Sequence, residues 1–236
     1  MSVRVFGRVE EFLRASLVDP VERDHRQSSG DFRRRQVVTA VFTVLGTGVL
    51  GWGLNVEPGS SWFYVATFAL AAVWTVGAFA SGPLHIGRID GRPAPRRPIL
   101  APLVLGLGLA AVFVLGALVV REIGALEGAV DDVLAFARQG SGPLVMVVAV
   151  VNGVAEELFF RGALYAAVPG RHQVAVTVVV YTLVTVATGN VMLAFAALVL
   201  GTVVGLQRAA SGGVLAPIIT HVAWSSALLL VLPVLF

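Results

Sequence analysis

The chain has no cysteine and no lysine, and only 13% of its 236 residues are charged. Without cysteine there is no disulfide framework and no Cys-ligated metal site. So little charge cannot cover the water-facing surface of a soluble domain. With 57% hydrophobic residues and a mean hydropathy of +0.86, the composition is that of a membrane protein. All 17 basic residues are Arg, and beside abundant Ala, Val and Gly this reads as the codon bias of a GC-rich bacterial genome. The net charge is only +3 and the Arg residues gather mainly in two short segments, so no nucleic-acid partner is expected. The first long apolar run begins near Val37, behind a charged stretch, so no cleavable signal peptide is expected.

What is present is a series of apolar runs. They lie at about Val37–Val56, Trp62–Ala80, Ile99–Val120, Pro143–Val168, Val174–Ala187, Val191–Leu206 and Val214–Phe236. Most reach the ~20 residues needed to cross a bilayer, although the fifth and sixth are short and separated only by "TGN". The expected fold is an all-α polytopic membrane protein with about seven transmembrane helices. Gly201 and Gly205 form a small-xxx-small face for close packing on a neighbour. Residues 1–36 are an Arg-rich segment. In it, Val5, Phe6, Val9, Phe12, Leu13 and Leu17 recur at helical spacing, which predicts an amphipathic helix on the membrane surface or docked on protein. Residues 19–36 read as a polar linker, and 121–142 as a short amphipathic helix presenting Ile123, Leu126, Val130, Val133 and Leu134. The domain plan is thus 1–36, generic spans in 37–142, and a third unit at 143–236.

Arg counts orient the spans. Segment 1–36 holds eight, loop 81–98 holds Arg88, Arg92, Arg96 and Arg97, and the loop between the first two spans holds none. Loop 121–142 sets Arg121 and Arg138 against Glu122, Glu127, Asp131 and Asp132. Arg171 and Arg208 fall between later spans on the Arg-rich side. The positive-inside rule then places the N-terminus in the cytoplasm of a bacterial inner membrane and, after seven crossings, the C-terminus outside.

Few strongly polar side chains interrupt the spans. They are Asn152, Glu156, Glu157 and Arg161 in the fourth, Tyr181, Thr182 and Thr185 in the fifth, and Thr220, His221, Ser225 and Ser226 in the seventh. A charge at bilayer depth costs roughly 2.5–3.5 kcal/mol even on insertion scales, so such groups mark function by default. Residues four apart share a helix face, which pairs Glu157 with Arg161, Asn152 with Glu156, Tyr181 with Thr185, and His221 with Ser225. Glu156 lies ~140° around the helix from Arg161 and is left uncompensated. Glu156 sits ~15–18 Å and His221 ~10 Å from the cytoplasmic end, so the two can meet in a cavity open to the cytoplasm. There Glu156 could act as a general base on water, and His221 could bind a metal or, with Ser225, stabilise an oxyanion.

These residues resemble the CPBP family of intramembrane proteases, which includes CAAX prenyl endopeptidases and bacteriocin-processing or Abi proteins. "EELFFRG" (156–162) matches its EExxxR motif, and "GLQRAASGGVLAPIITHVAWS" (205–225) its closing His-bearing motif. The resemblance covers about residues 143–236. It implies an endopeptidase in which Glu156 activates water, Glu157 and Arg161 support it, and His221 with the group at Ser225 handles the oxyanion. A peptide or membrane-protein substrate, or a membrane-protein partner, follows from it. Three positions in two motifs depart from the pattern. The middle motif FxxxH reads "YTLVT", with Tyr181 for Phe and Thr185 for His, and Ser225 replaces Asn or Asp. Zinc usually keeps three protein ligands, and without the middle His only Glu156 and His221 remain, which disfavours a zinc mechanism. The alternative is a relative that has lost turnover at Thr185 and serves as a membrane binding or scaffold protein. A proton-coupled carrier ranks below both, because no broken helix pair or inverted repeat is evident.

Overall fold

A computed structural model describes residues 2–21, 26–88 and 97–236, the side chains of residues 2–6 and 8 excepted. The expected face over Val5 and Phe6, and the loop arginines Arg92 and Arg96, lie outside the described residues. All regular structure among the described residues is helical. The helices are α1 Ser2–Leu17, α2 Ser29–Gly53, α3 Ser61–Ser81, α4 Leu100–Val120, α5 Gly124–Gln139, α6 Gly142–Ala167, α7 Gln173–Val186, α8 Val191–Ser211 and α9 Leu215–Leu235. Six of them (α2, α3, α4, α6, α8 and α9) are long and apolar enough to cross a membrane. The seventh apolar helix, α7, has 14 residues and spans only ~21 Å. Val44, Leu100, Leu115 and Val234 point outward along these helices, the exposure that lipid rather than water permits. The protein is an all-α, multi-pass membrane protein.

Two boundaries differ from the sequence expectation. The linker ends earlier, because the Ser28 hydroxyl accepts the Asp31 amide at 3.1 Å and starts α2 at Ser29. Arg35 therefore lies on a helix, buried, and donates to Gln27 Oε1, Ser81 Oγ and Pro83 O. The sixth span is not short. α8 runs on to Ser211, and Gly212, with φ +69°, caps it in the left-handed region. Arg208 is thus no loop residue. Its guanidinium lies 4.5 Å from the Tyr165 ring centre and its Nε donates to Arg161 O at 2.6 Å.

The expected small-residue face of α8 is used. A Cβ on Gly205 would stand 3.2 Å from Val174 of α7, and one on Gly201 would stand 3.2 Å from both Arg161 Nη2 and the Tyr181 ring. Trp74 of α3 fills the space that Gly46 leaves on α2. α1 rests on α8 and α4, with Ser16 buried while Val9 and Leu13 remain exposed.

The two ends of the bundle differ. At the Arg-rich end, segment 82–88 is bonded to the α8–α9 turn: Arg88 N to Ser211 O, Val214 N to His85 O, and Leu215 N to Ile86 O. Gln27 and Gln36 donate to the carbonyls of Ala166 and Ala167, and Val21 N to Ala210 O. His85 sits in this seam with its pKa lowered, first by burial and then by Arg208 and Arg35. At the other end, the helix expected within 121–142 forms as α5 and packs on α4, α6, α8 and α9. It buries Leu134 of the expected face together with Phe136, while Ile123 precedes the helix and stays exposed. Asn190 Nδ2 bonds Ala129 O, and the Tyr64 hydroxyl accepts the Ser141 amide.

Candidate active site

The motif helix changes form at the motif itself. α6 is α-helical to Glu157 and then π-helical over Leu158–Leu164. A π-turn is uncommon and concentrates at functional sites. Here it accompanies an unbroken buried run, Phe159 to Ala163, which a helix with one lipid face does not allow. The run is enclosed because α2, α3, α7 and α8 all pack on it. Phe159 and Phe160 meet the Trp74 ring at 4.6 and 5.0 Å.

Glu157 and Arg161 pair as their spacing predicts, at 3.0 Å, and both are fully buried. Arg161 Nη2 also donates to Gly201 O at 3.3 Å, and its guanidinium lies 4.6 Å from the Tyr181 ring centre. The same Glu157 oxygen receives His221 Nδ1 at 2.8 Å. An ionised carboxylate only accepts, so Nδ1 carries the proton and Nε2 is the ring nitrogen left for other work. Sequence reasoning gave Glu157 one partner, and the fold gives it two. No local spacing relates residues 157 and 221, which meet only because α9 packs along α6.

Glu156 is half-buried and faces a cavity of about 220 Å³. His221, Tyr181, Thr185, Thr188 and Trp224 share the wall. The Tyr181 hydroxyl donates to Glu156 Oε2 at 2.6 Å. This contact could not be read from the sequence, where Tyr181 is simply the residue standing for Phe. Thr185, at the position of the missing His, donates its hydroxyl to Tyr181 O at 2.9 Å.

Three expectations are corrected. The cavity lies nearer the end opposite the Arg-rich one, judged from the described residues that line it. Leu50 and Leu54 at the end of α2, Thr185 and Thr188 at the end of α7, and Leu193 at the start of α8 place it toward the opposite end. Ser225 does not join Glu156: its hydroxyl turns to Val222 O at 3.3 Å, and it lines a second, apolar cavity of about 360 Å³. Trp224 lines both cavities. Asn152 bonds its own helix at Val148 O instead of sharing the Glu156 wall.

The donor set does not fit zinc. Among the described residues no three His, Cys, Asp or Glu side chains converge. His221 Nδ1 is committed to Glu157, and one Glu156 oxygen to Tyr181. What the site holds is one carboxylate facing a cavity, a histidine oriented by a second carboxylate, and a tyrosine hydroxyl. That set can take a proton from water and donate to a developing negative charge.

Residues 138–227 match the family model described as "Type II CAAX prenyl endopeptidase Rce1-like". No curated protein and no solved structure matches. The matched segment contains α6 to α8 and most of α9, and so every wall of the Glu156 cavity except Leu50, Leu54 and Trp74.

Proposed function

We propose that residues 138–227, the segment similar to type II CAAX-type membrane proteases, hydrolyse peptide bonds within the bilayer with Glu156 as the base. Water held in the cavity gives a proton to Glu156 as its oxygen attacks the scissile carbonyl carbon. His221, when protonated, donates from Nε2 to the oxyanion. The tetrahedral intermediate collapses, and Glu156 passes its proton to the leaving amine, so the products are a carboxylate and an amine. Glu157 and Arg161 hold His221 in place, and Tyr181 fixes the Glu156 carboxylate. Ser225, resting in the other cavity, has no step in this scheme.

The observation that carries this reading is that Glu156 faces a cavity whose wall also holds His221, while Glu157 is sealed against Arg161. The purified protein in liposomes should cleave members of a peptide library, and Glu156→Gln should abolish the cleavage. Cleavage undiminished in that variant would sink the assignment.

A second reading is favoured by Thr185. With no imidazole there, the site has one donor fewer than the family motif, and the fold would serve as a membrane binding or scaffold protein. Glu156→Gln would then leave the cellular phenotype intact, whereas Glu157→Ala would remove the protein by destabilising it. A Glu156→Gln phenotype as severe as deletion would count against this second reading.

A further inference from the structure

The end of the bundle from which the site is reached bears on what it can act upon. On the Arg-rich side of Glu156 the described residues are closely packed. Glu157, Arg161, Phe159 and Ala163 have no exposed surface, and residues 210–214 are buried beneath segment 82–88. Leu84 presses on Gly162, 3.0 Å from where a Cβ would stand. On the other side the wall is hollow. The Glu156 cavity is bounded by Leu54, Thr188 and Leu193, next to the loops that join α2 to α3 and α7 to α8. The larger apolar cavity shares Leu54, Leu193, Ala196 and Trp224 with it and reaches Val130 and Leu134 of α5, which packs at this end.

We propose that the site is open to the extracytoplasmic face, and that its substrate is a peptide segment presented there. Two independent observations meet in this assignment. The cavity runs toward the end whose loops carry only Arg121 and Arg138 among described residues, and the positive-inside rule assigns that end to the outside. The segment would be the outer juxtamembrane part of a membrane-anchored or exported peptide. A large apolar side chain next to the scissile bond matches the 360 Å³ cavity, whose walls beside Trp224 and Ser225 are apolar side chains. In this arrangement a free C-terminus in the cytoplasm meets the packed end of the described residues and not the cavity. The substrate class rests on the protease reading; the direction of access does not.

The absence of cysteine makes the chain its own background for labelling. Single variants Thr185→Cys and Thr188→Cys would report on the cavity, Arg171→Cys on the exposed Arg-rich end, and Gln139→Cys on the exposed opposite end. Cells or right-side-out vesicles, and inside-out vesicles, would be treated with a membrane-impermeant maleimide. Thr185→Cys and Thr188→Cys should label with Gln139→Cys from outside, and Arg171→Cys only from inside. Labelling of the cavity positions together with Arg171→Cys, or labelling of Arg171→Cys from outside, would overturn the proposal. The assay needs no turnover, so it stands apart from the Glu156→Gln test. In sealed liposomes of fixed orientation, an apolar peptide added on the Gln139 side should be cleaved at least tenfold faster than on the Arg171 side. Equal rates would overturn the substrate class alone.

Discussion

Glu156 and Glu157 are neighbours on α6 and face different surroundings, one a cavity and the other packed protein. Glu157 faces the packed side, where glycines admit side chains, carbonyls tie loops to helix ends, and Arg161 and His221 both converge on it. Glu156 faces the cavity side, where α5 and α9 enclose apolar space and a single tyrosine hydroxyl reaches the carboxylate. The difference follows from the cost of charge in a dry interior. A charge far from water is tolerated when it is paired and hydrogen-bonded, and a charge meant to react has to keep a side free. In the proposed protease reading, placing one of each at adjacent positions would let the packed side hold the site still while the cavity side admits water and substrate.

The contrast can be broken at several points, from the largest expected effect downward. Glu156→Gln should lower cleavage by about 10²–10⁴-fold, the usual share of a general base, with a thermal midpoint close to the parent's. A large fall in the midpoint would show that Glu156 belongs to the packed side after all. Glu157→Ala leaves the Arg161 guanidinium buried without its carboxylate and should destabilise by about 3–5 kcal/mol, seen as lost monodisperse protein on detergent chromatography. Gly201→Ala pushes a methyl against Arg161 and Tyr181 and should cost about 1–3 kcal/mol in thermal unfolding, although it touches neither Glu156 nor the cavity mouth. Tyr181→Phe removes one hydroxyl, for about 0.5–1.5 kcal/mol of stability. If Tyr181 positions Glu156, this variant should shift the pH profile of cleavage and lower kcat more than it raises KM. A purely structural role would leave the profile in place.

Much of the site was legible before the fold was known, because its strongest cues are local. Glu157 and Arg161 stand one helical turn apart, and two opposite charges at that spacing inside an apolar run neutralise each other at the least cost. The motifs around Glu156 and His221 led to the same family that the segment 138–227 matches. Other contacts left no trace in spacing. His221 binding Glu157 spans 64 positions, and Tyr181 reaching Glu156 spans 25. Ser225 illustrates the reverse error. It is four residues from His221, as the pairing rule asks, yet its hydroxyl turns to its own helix and it lines the other cavity.

The sequence by itself determined that the chain lives in a membrane, that its helices run as apolar spans, and which end carries the arginines. Those properties follow from composition and period, which need no long-range contact to express themselves. It also singled out Glu156 as the unpaired charge, because helix geometry over five residues suffices for that. Only the tertiary structure decided which partners the charges take and toward which end the cavity lies. Those outcomes depend on how α6, α7, α8 and α9 pack against one another, and packing is settled by volumes and close approaches, such as Gly201 against Arg161, that no single segment contains.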